Sequence, residues 1–135
     1  MSTSLPDRAL SVRQPWAELI LAGRKRYELR SWRTSYRGPI LIHSGLRVEA
    51  KAVALAGLHN QALATGALVG VVEIADCQPF TEAIANEMRG ALAYLGDWTP
   101  NLFAWELANP SRLNPPISHS GRLGLFRARV VMDAT

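Results

Sequence analysis

Residues 23–30, GRKRYELR, carry the most informative local pattern in the chain, with the spacing G-x-K-x-x-E-x-R. Its second half alternates between a face with Tyr27 and a charged face with Glu28 and Arg30, a pattern typical of a β-strand. On such a strand Glu28 and Arg30 lie roughly 6.5–7 Å apart on the same face, and Lys25 sits in the turn just before it. The sequence therefore predicts that two cations and one carboxylate converge near one end of a strand.

Further elements are predicted on both sides of this strand. Pro15 opens a short helix that Gly23 ends, because proline suits the first helical position and glycine the residue after the last. Alternation and apolar runs predict strands, helical spacing predicts helices, and Thr81 is the expected N-cap of the last helix. The predicted strands are 9–12, 26–32, 40–43, 67–75, 102–107 and one or two within 123–132; the predicted helices are 15–22, 47–58 and 81–94; proline-containing breaks are expected at 78–79, 109–110 and 114–116.

This order of elements indicates an α+β fold of five to six strands and two to three short helices. The first helix is too short, and the later strands are too close together, for a doubly wound parallel sheet. A small, mostly antiparallel β-barrel with helices packed on its openings fits better. The 135 residues suit a single domain spanning 1–135, with residues 1–7 expected to form a flexible N-terminal tail.

Composition excludes several classes of protein. Hydrophobic residues make up 48% of the chain, which is enough to build a core and excludes wholesale disorder. No apolar run approaches the roughly 20 residues that cross a bilayer, and no secretory signal is visible, so no membrane partner is expected. Cys77 is the single cysteine, which excludes an intrachain disulfide and favours a cytoplasmic protein.

The positive charge is concentrated in one third of the chain. The formal net charge is +4, yet residues 8–47 contain nine basic and only two acidic residues, a local charge of +7. Such a concentration favours anionic partners, nucleic acid first. A solubilising basic face is the alternative interpretation, and charge alone does not separate the two.

The motifs within this basic segment resemble those of the ASCH-domain family, whose fold is the PUA-like barrel. The resemblance implies an ASCH domain that occupies nearly the whole chain, and an association with RNA, because PUA-like barrels recur in RNA metabolism. It rests on GRKRYELR at 23–30, SVRQPWA at 11–17, RG at 37–38 and IHSG at 42–45; it is close over 9–45 and looser over 70–76 and 105–107.

The favoured function is the binding of RNA or a nucleotide, with recognition of a single-stranded or modified base. Lysine and arginine suit phosphate, aromatic side chains stack on bases, and an amide reads a base edge. The resemblance implies that the strand ends and the helix start face one cavity with Lys25. The candidate ligand-binding residues are Ser11, Gln14, Trp16, Lys25, Glu28, Arg30, Trp32, Arg37 and His43. For several of them a core contact, a capping hydrogen bond or a structural ion pair is an equally ordinary role.

A small hydrolase is the alternative function. Some proteins similar to the family are ribonucleases, and others are amidohydrolases of N4-acetylcytidine. The lysine of the amidohydrolase motif is matched by Lys25, but Glu28 stands where those enzymes have a threonine nucleophile, which favours a ribonuclease. The candidate catalytic residues are Lys25, Glu28 and Tyr27. No metal-ligand spacing and no cofactor motif is evident, although a nuclease is compatible with a divalent cation held by carboxylates and nucleotide.

Overall fold

The computed structural model describes residues 5–94 and 96–130, which form an α+β fold of six strands and three short helices. The strands are β1 (Arg8–Gln14), β2 (Tyr27–Arg30), β3 (Gly38–Val48), β4 (Ala67–Pro79), β5 (Phe103–Ser118) and β6 (Leu125–Arg127); the helices are α1 (Trp16–Leu21), α2 (Ala50–Leu55) and α3 (Glu82–Gly90).

All six strands belong to one sheet, in the order β2-β5-β4-β3-β1-β6. Its pairings are antiparallel except that of β1 with β3, which is parallel. The sheet is not closed, because no strand pairing joins β2 to β1 or β6 among the described residues. The prediction of a closed barrel is therefore not confirmed. We call the gap between β2 and β1 the seam.

The sheet curves strongly enough to bring the two sides of the seam together. Three strands separate β2 from β1 in the sheet, which would place them about 19 Å apart if the sheet were flat. Yet Arg30 on β2 donates from Nη2 to the backbone oxygen of Ser11 on β1 at 2.6 Å. A side chain thus bridges the opening that strand pairing leaves.

The core lies on both faces of this curved sheet. The largest apolar cluster centres on the fully buried Trp105 of β5 and includes the inward side chains of α1. A second cluster joins Tyr27 to α3 through Phe80 and Met88. Thr81 caps α3 as predicted, because its hydroxyl accepts a hydrogen bond from the backbone N–H of Ile84 at 3.2 Å.

Only one of the three predicted proline breaks falls at the end of a strand. β4 ends at Pro79, as the break expected at 78–79 requires, whereas those at 109–110 and 114–116 lie inside β5. Proline lacks a backbone N–H and is tolerated in a strand at bulges and exposed positions. Here the β4–β5 register shifts three times, and residues 109–112 and 114–116 are exposed, so the prolines of β5 need not take part in the ladder.

Three other predicted boundaries are wrong or fall outside the described residues. The helix expected over 47–58 is only Ala50–Leu55, because β3 continues to Val48 before α2 begins. The final strand is limited to Leu125–Arg127, and the part of the prediction beyond residue 130 lies outside the described residues. Residues 1–4 of the expected tail also lie outside them, whereas Asp7 forms an ion pair with Arg127 at 2.8 Å.

Candidate nucleotide-binding site

The charged face of β2 forms as the alternation predicts. Glu28 Oε2 accepts two hydrogen bonds from Arg30, from Nε at 3.0 Å and from Nη2 at 2.7 Å. Glu28 itself is buried, at 7% exposure, opposite Trp105 on β5. One carboxylate oxygen thus fixes the Arg30 guanidinium in a charge-assisted pair and leaves the other oxygen for a second cation.

That second cation is Lys25, which the chain delivers from the turn after α1. The turn is held by the backbone N–H groups of Arg24 and Lys25, which both donate to the carbonyl of Leu19. Lys25 Nζ lies 3.6 Å from Glu28 Oε1, an ion-pair distance rather than a hydrogen bond. The ammonium also lies 5.5 Å from the centre of the Trp16 ring, within range of a cation–π interaction.

Burial dominates the electrostatics of Lys25. Its side chain is 6% exposed, and the loss of hydration lowers the pKa of the ammonium below its usual value, while the charge of Glu28 opposes that shift. Because a single carboxylate lies beside the buried ammonium of Lys25, N–H groups of that ammonium remain free to donate to a ligand. The same lowered pKa brings the neutral amine closer to the physiological range.

These side chains open into a cavity of about 520 Å³ at the seam, which we call the Lys25 cavity. Sequence reasoning expected five of its lining residues: Ser11, Trp16, Lys25, Glu28 and Arg30. It missed Arg13 and Tyr94 among others. Arg13 shares a face of β1 with Ser11, so strand alternation could have found it. Tyr94 comes from the loop after α3, so no local pattern could have assigned it. The lining residues are Ser11, Val12, Arg13, Trp16, Lys25, Glu28, Leu29, Arg30, Ser31, Ala93, Tyr94, Gly96 and Leu102.

Ser11 also belongs to a hydrogen-bond chain that leads away from the cavity. His43 Nε2 faces the carbonyl of His119 at 2.7 Å, so this nitrogen carries the proton and donates. Nδ1 is then an acceptor, and the Ser11 hydroxyl donates to it at 2.9 Å. Burial lowers the pKa of His43, although the hydrogen bond to His119 opposes the shift, which agrees with the neutral imidazole that this network requires.

Five predicted site residues do not reach the Lys25 cavity. Gln14 is buried elsewhere: its amide nitrogen donates to Ala64, and its amide oxygen accepts from the backbone N–H of Glu18. Trp32 packs edge-on against Trp105, with ring centres 4.7 Å apart. The other three residues outside the cavity are Tyr27, Arg37 and His43.

Tyr27, Arg37 and His43 each lie in different surroundings. Tyr27 points to the opposite face of β2, into the cluster with α3, where burial raises the pKa of its phenol. Arg37 donates to two carbonyls of its own turn and lies 3.5 Å from Asp76. His43 contacts the cavity only indirectly, through Ser11. None of the three is part of the cavity lining.

Acids from elsewhere in the chain compensate three of the seven surplus positive charges of residues 8–47. Five of its nine cations form ion pairs, two of them with Glu28 and the others with Glu49, Glu87 and Asp76. The acidic partners of the last three lie outside the segment in sequence and meet it only in the folded chain. The local surplus of positive charge is therefore smaller than the sequence suggests.

Within the described ranges, no three His, Cys, Asp or Glu side chains are grouped so that they could ligate a metal ion. None of the described helices combines the length and the hydropathy needed to span a bilayer.

The fold and the site define a small α+β domain with a cation-lined cavity at the seam of an open, curved sheet. The sequence profile of the ASCH domain matches residues 10–117, more than half of the chain. The protein belongs to the ASCH-domain family, whose domain is PUA-like and is associated with RNA binding. This confirms the resemblance seen in the sequence motifs. No curated protein matches the chain.

Proposed function

We propose that the Lys25 cavity binds a nucleotide of single-stranded RNA. The observation that carries the proposal is the geometry of Glu28, which holds Arg30 with one oxygen and lies beside Lys25 with the other. The carboxylate prepositions both cations at the cavity and compensates only one of their two charges. The remaining charge suits one phosphate group, which accepts from a lysine point charge and an arginine fork.

The rest of the lining supports a nucleotide over a free anion. Trp16 and Tyr94 add aromatic surface to the same cavity as the cations. Aromatic rings beside cations are the usual means of holding an unpaired base next to its phosphate. A cavity of about 520 Å³ also lies within the range of small-molecule sites, which is roughly 300–1,000 Å³.

The test compares Lys25→Met with a matched control, Lys51→Met. Lys51 is exposed on α2, lies outside the cavity lining and forms no ion pair with a described residue, so both substitutions remove one charge. Binding of a labelled single-stranded RNA of about ten nucleotides is measured by fluorescence anisotropy. We expect Lys25→Met to lower the affinity about tenfold, the size of one charge-assisted contact, and Lys51→Met to leave it near that of the wild type.

Two outcomes would overturn the proposal. One is the absence of RNA binding by the wild-type protein at low salt. The other is an equal loss of affinity in both variants, since that would indicate attraction to the net charge and no specific site.

A hydrolase is the second candidate, and the lowered pKa of Lys25 favours it. A neutral amine in a substrate-sized cavity, 3.6 Å from a carboxylate, is a suitable proton acceptor. The glutamate at position 28 supports a ribonuclease over an amidohydrolase of N4-acetylcytidine, because it replaces the hydroxyl nucleophile. A divalent cation as cofactor belongs to this candidate alone.

Turnover separates the two candidates. Wild-type protein and Lys25→Met are incubated with single-stranded RNA and with N4-acetylcytidine, with and without magnesium. Product formed by the wild type and lost in the variant supports the hydrolase. Equal product from both proteins indicates a contaminant, and no product from either leaves binding as the function. The cytoplasm is our proposed location, on the strength of the single cysteine.

A further inference from the structure

A second cavity of about 610 Å³ lies at the other side of β1 and shares no lining residue with the Lys25 cavity. It is lined by the loop after β5, by β6 and by the residues that follow β6. We call it the arginine groove. Its lining residues are His119, Ser120, Arg122, Phe126, Arg127 and Arg129. Three of these six are arginines, and none is acidic.

Charge pairing distinguishes the arginine groove from the basic segment around β2. Arg127 is paired with Asp7 at 2.8 Å, and that pair is well exposed. Within residues 5–94 and 96–130, neither Arg122 nor Arg129 forms an ion pair or a side-chain hydrogen bond. Two guanidinium groups that lack an acidic partner among the described residues and lie on one concave surface suit an anion, because each fork matches two oxygens of a phosphate.

The backbone that carries these arginines is held in place by the two histidines. His119 Nδ1 faces the carbonyl of Ser120 at 2.6 Å, and His119 Nε2 accepts from the backbone N–H of Arg129 at 3.1 Å. The carbonyl of His119 in turn accepts from His43 on β3. The loop and the chain after β6 are therefore tied to each other and to the sheet, so the groove is preformed.

The arginine groove is connected to the Lys25 cavity through Ser11. Ser11 lines the cavity and bonds His43, whose other ring nitrogen bonds His119 of the groove. Gly121 lies so close to this pair that a Cβ on it would meet Ser11 Oγ at 2.7 Å and His43 Cε1 at 2.8 Å. The residue next to Arg122 thus rests directly on a wall of the Lys25 cavity.

From this adjacency we infer that the arginine groove binds the sugar–phosphate backbone of the same RNA strand whose nucleotide enters the Lys25 cavity. The inference rests on the proposed function and extends it to a second site. A strand leaving the cavity past Ser11 meets Arg122 first, and Arg129 lies in the same groove. An acidic peptide could also contact two arginines, but the continuity with a nucleotide-sized cavity favours a strand that presents both a base and successive phosphates.

The test varies the length of the ligand. Arg122→Ala combined with Arg129→Ala is compared with a matched control, Arg47→Ala combined with Lys51→Ala. Both doubles remove two exposed cations, and the control residues line neither cavity. The backbone N–H of Arg129 that bonds His119 is kept in the variant, so the groove retains its shape. Probes are a ribonucleoside monophosphate, an RNA of about ten nucleotides and an oligoglutamate of similar length.

We expect the groove double to bind the monophosphate as the wild type does, which also shows that it is folded. Its affinity for the RNA should fall about tenfold, and the slope of log K against log salt should become shallower by about 1.4, which corresponds to two phosphate contacts. The control double should change neither quantity by a comparable amount.

Different results would overturn the proposed function and the inference about the arginine groove. If the wild type binds neither nucleotide probe, the proposed function fails and this inference fails with it. If the wild type binds the monophosphate but the longer RNA no more tightly, or if both doubles lose affinity equally, the groove inference is overturned while the Lys25 site stands. Oligoglutamate bound as tightly as RNA, and lost in the groove double, would overturn the assignment to nucleic acid.

Discussion

At the scale of single residues, Glu28 is the residue that joins Lys25 and Arg30 in the site. Among the described residues, its carboxylate is the only acid in the lining of the Lys25 cavity, and it contacts cations supplied by a turn and by its own strand. A buried carboxylate between two cations requires both the pairing and the hydrogen bonds that it receives. Loss of the carboxylate and loss of one cation should therefore have different consequences for stability.

Glu28→Gln should destabilise the protein by about 3 kcal/mol, because it leaves the buried Lys25 without a compensating charge and weakens the hold on Arg30. Lys25→Met should cost less than about 1 kcal/mol, since Glu28 keeps Arg30 and an apolar chain replaces a poorly hydrated one. Urea unfolding followed by circular dichroism gives both free energies. Equal destabilisation by the two substitutions would contradict this account of the pair.

His43 supplies a prediction about pH. Its folded-state pKa is lowered, so the unfolded chain binds more protons between that pKa and the ordinary value of 6.5. The stability linked to His43 is therefore present above pH 6.5 and is lost as the pH falls through the folded-state pKa. Urea midpoints measured from pH 7.5 down to pH 5 should decrease in the wild type and decrease less in His43→Gln; parallel curves would exclude His43 as the cause.

At the scale of elements, the contact between α1 and the β4–β5 pair is closer than the sequence indicates. Gly70 on β4 pairs with Arg112 beside a register shift. A Cβ at this position would collide with Leu21 of α1 and would lie 2.6 Å from the backbone oxygen of Ser111. A backbone atom cannot move aside as a flexible side chain can, so only glycine lets α1 lie this close to the sheet.

Gly70→Ala should accordingly lower the free energy of unfolding by about 2 kcal/mol or more, since overpacking forces the backbone to shift. Gly90→Ala is the matched control, because nothing lies within 4 Å of its added Cβ and alanine is the better helix former at the end of α3. That control should be neutral or slightly stabilising. Thermal unfolding of the two variants compares them directly, and similar melting temperatures would refute the steric argument.

The elements also show where local patterns are reliable. The alternation in residues 26–32 predicted β2 and its charged face, because the period of side chains along a strand depends on backbone geometry alone. The breaks predicted at the prolines of β5 are wrong, because bulges between β4 and β5 offset the local tendency of proline to interrupt a ladder. Whether a partner strand can accommodate a missing donor is a tertiary question.

At the scale of the whole molecule, the distribution of charge differs from that of the sequence. Five cations of the basic segment are paired, whereas Arg122 and Arg129 from the part of the chain that is acidic overall are unpaired among the described residues. Nucleic-acid binding by the whole protein should reflect the second distribution.

The salt dependence of RNA binding measures how many phosphates the cations of the protein contact. If Lys25 and Arg30 together hold one phosphate, and Arg122 and Arg129 each contact one more, log K should fall with log salt at a slope of about −2. If all nine cations of residues 8–47 took part, the slope would be about −6. Anisotropy titrations between roughly 50 and 200 mM salt distinguish these values. A slope near −6 would show that the ion pairs open on binding and would contradict the distribution described above.

Local patterns in the sequence were enough to predict the α+β class, the strand with Glu28 and Arg30 on one face, the turn that carries Lys25, and the family. These follow from short-range periodicity and from residue spacing, which do not depend on distant contacts. Tertiary contacts alone keep Gln14 and Arg37 out of the Lys25 cavity, bring Tyr94 into it and leave the described sheet open. Those outcomes depend on which distant segments meet, because the curvature of the sheet and the pairing of charges are set by contacts between residues far apart in the chain.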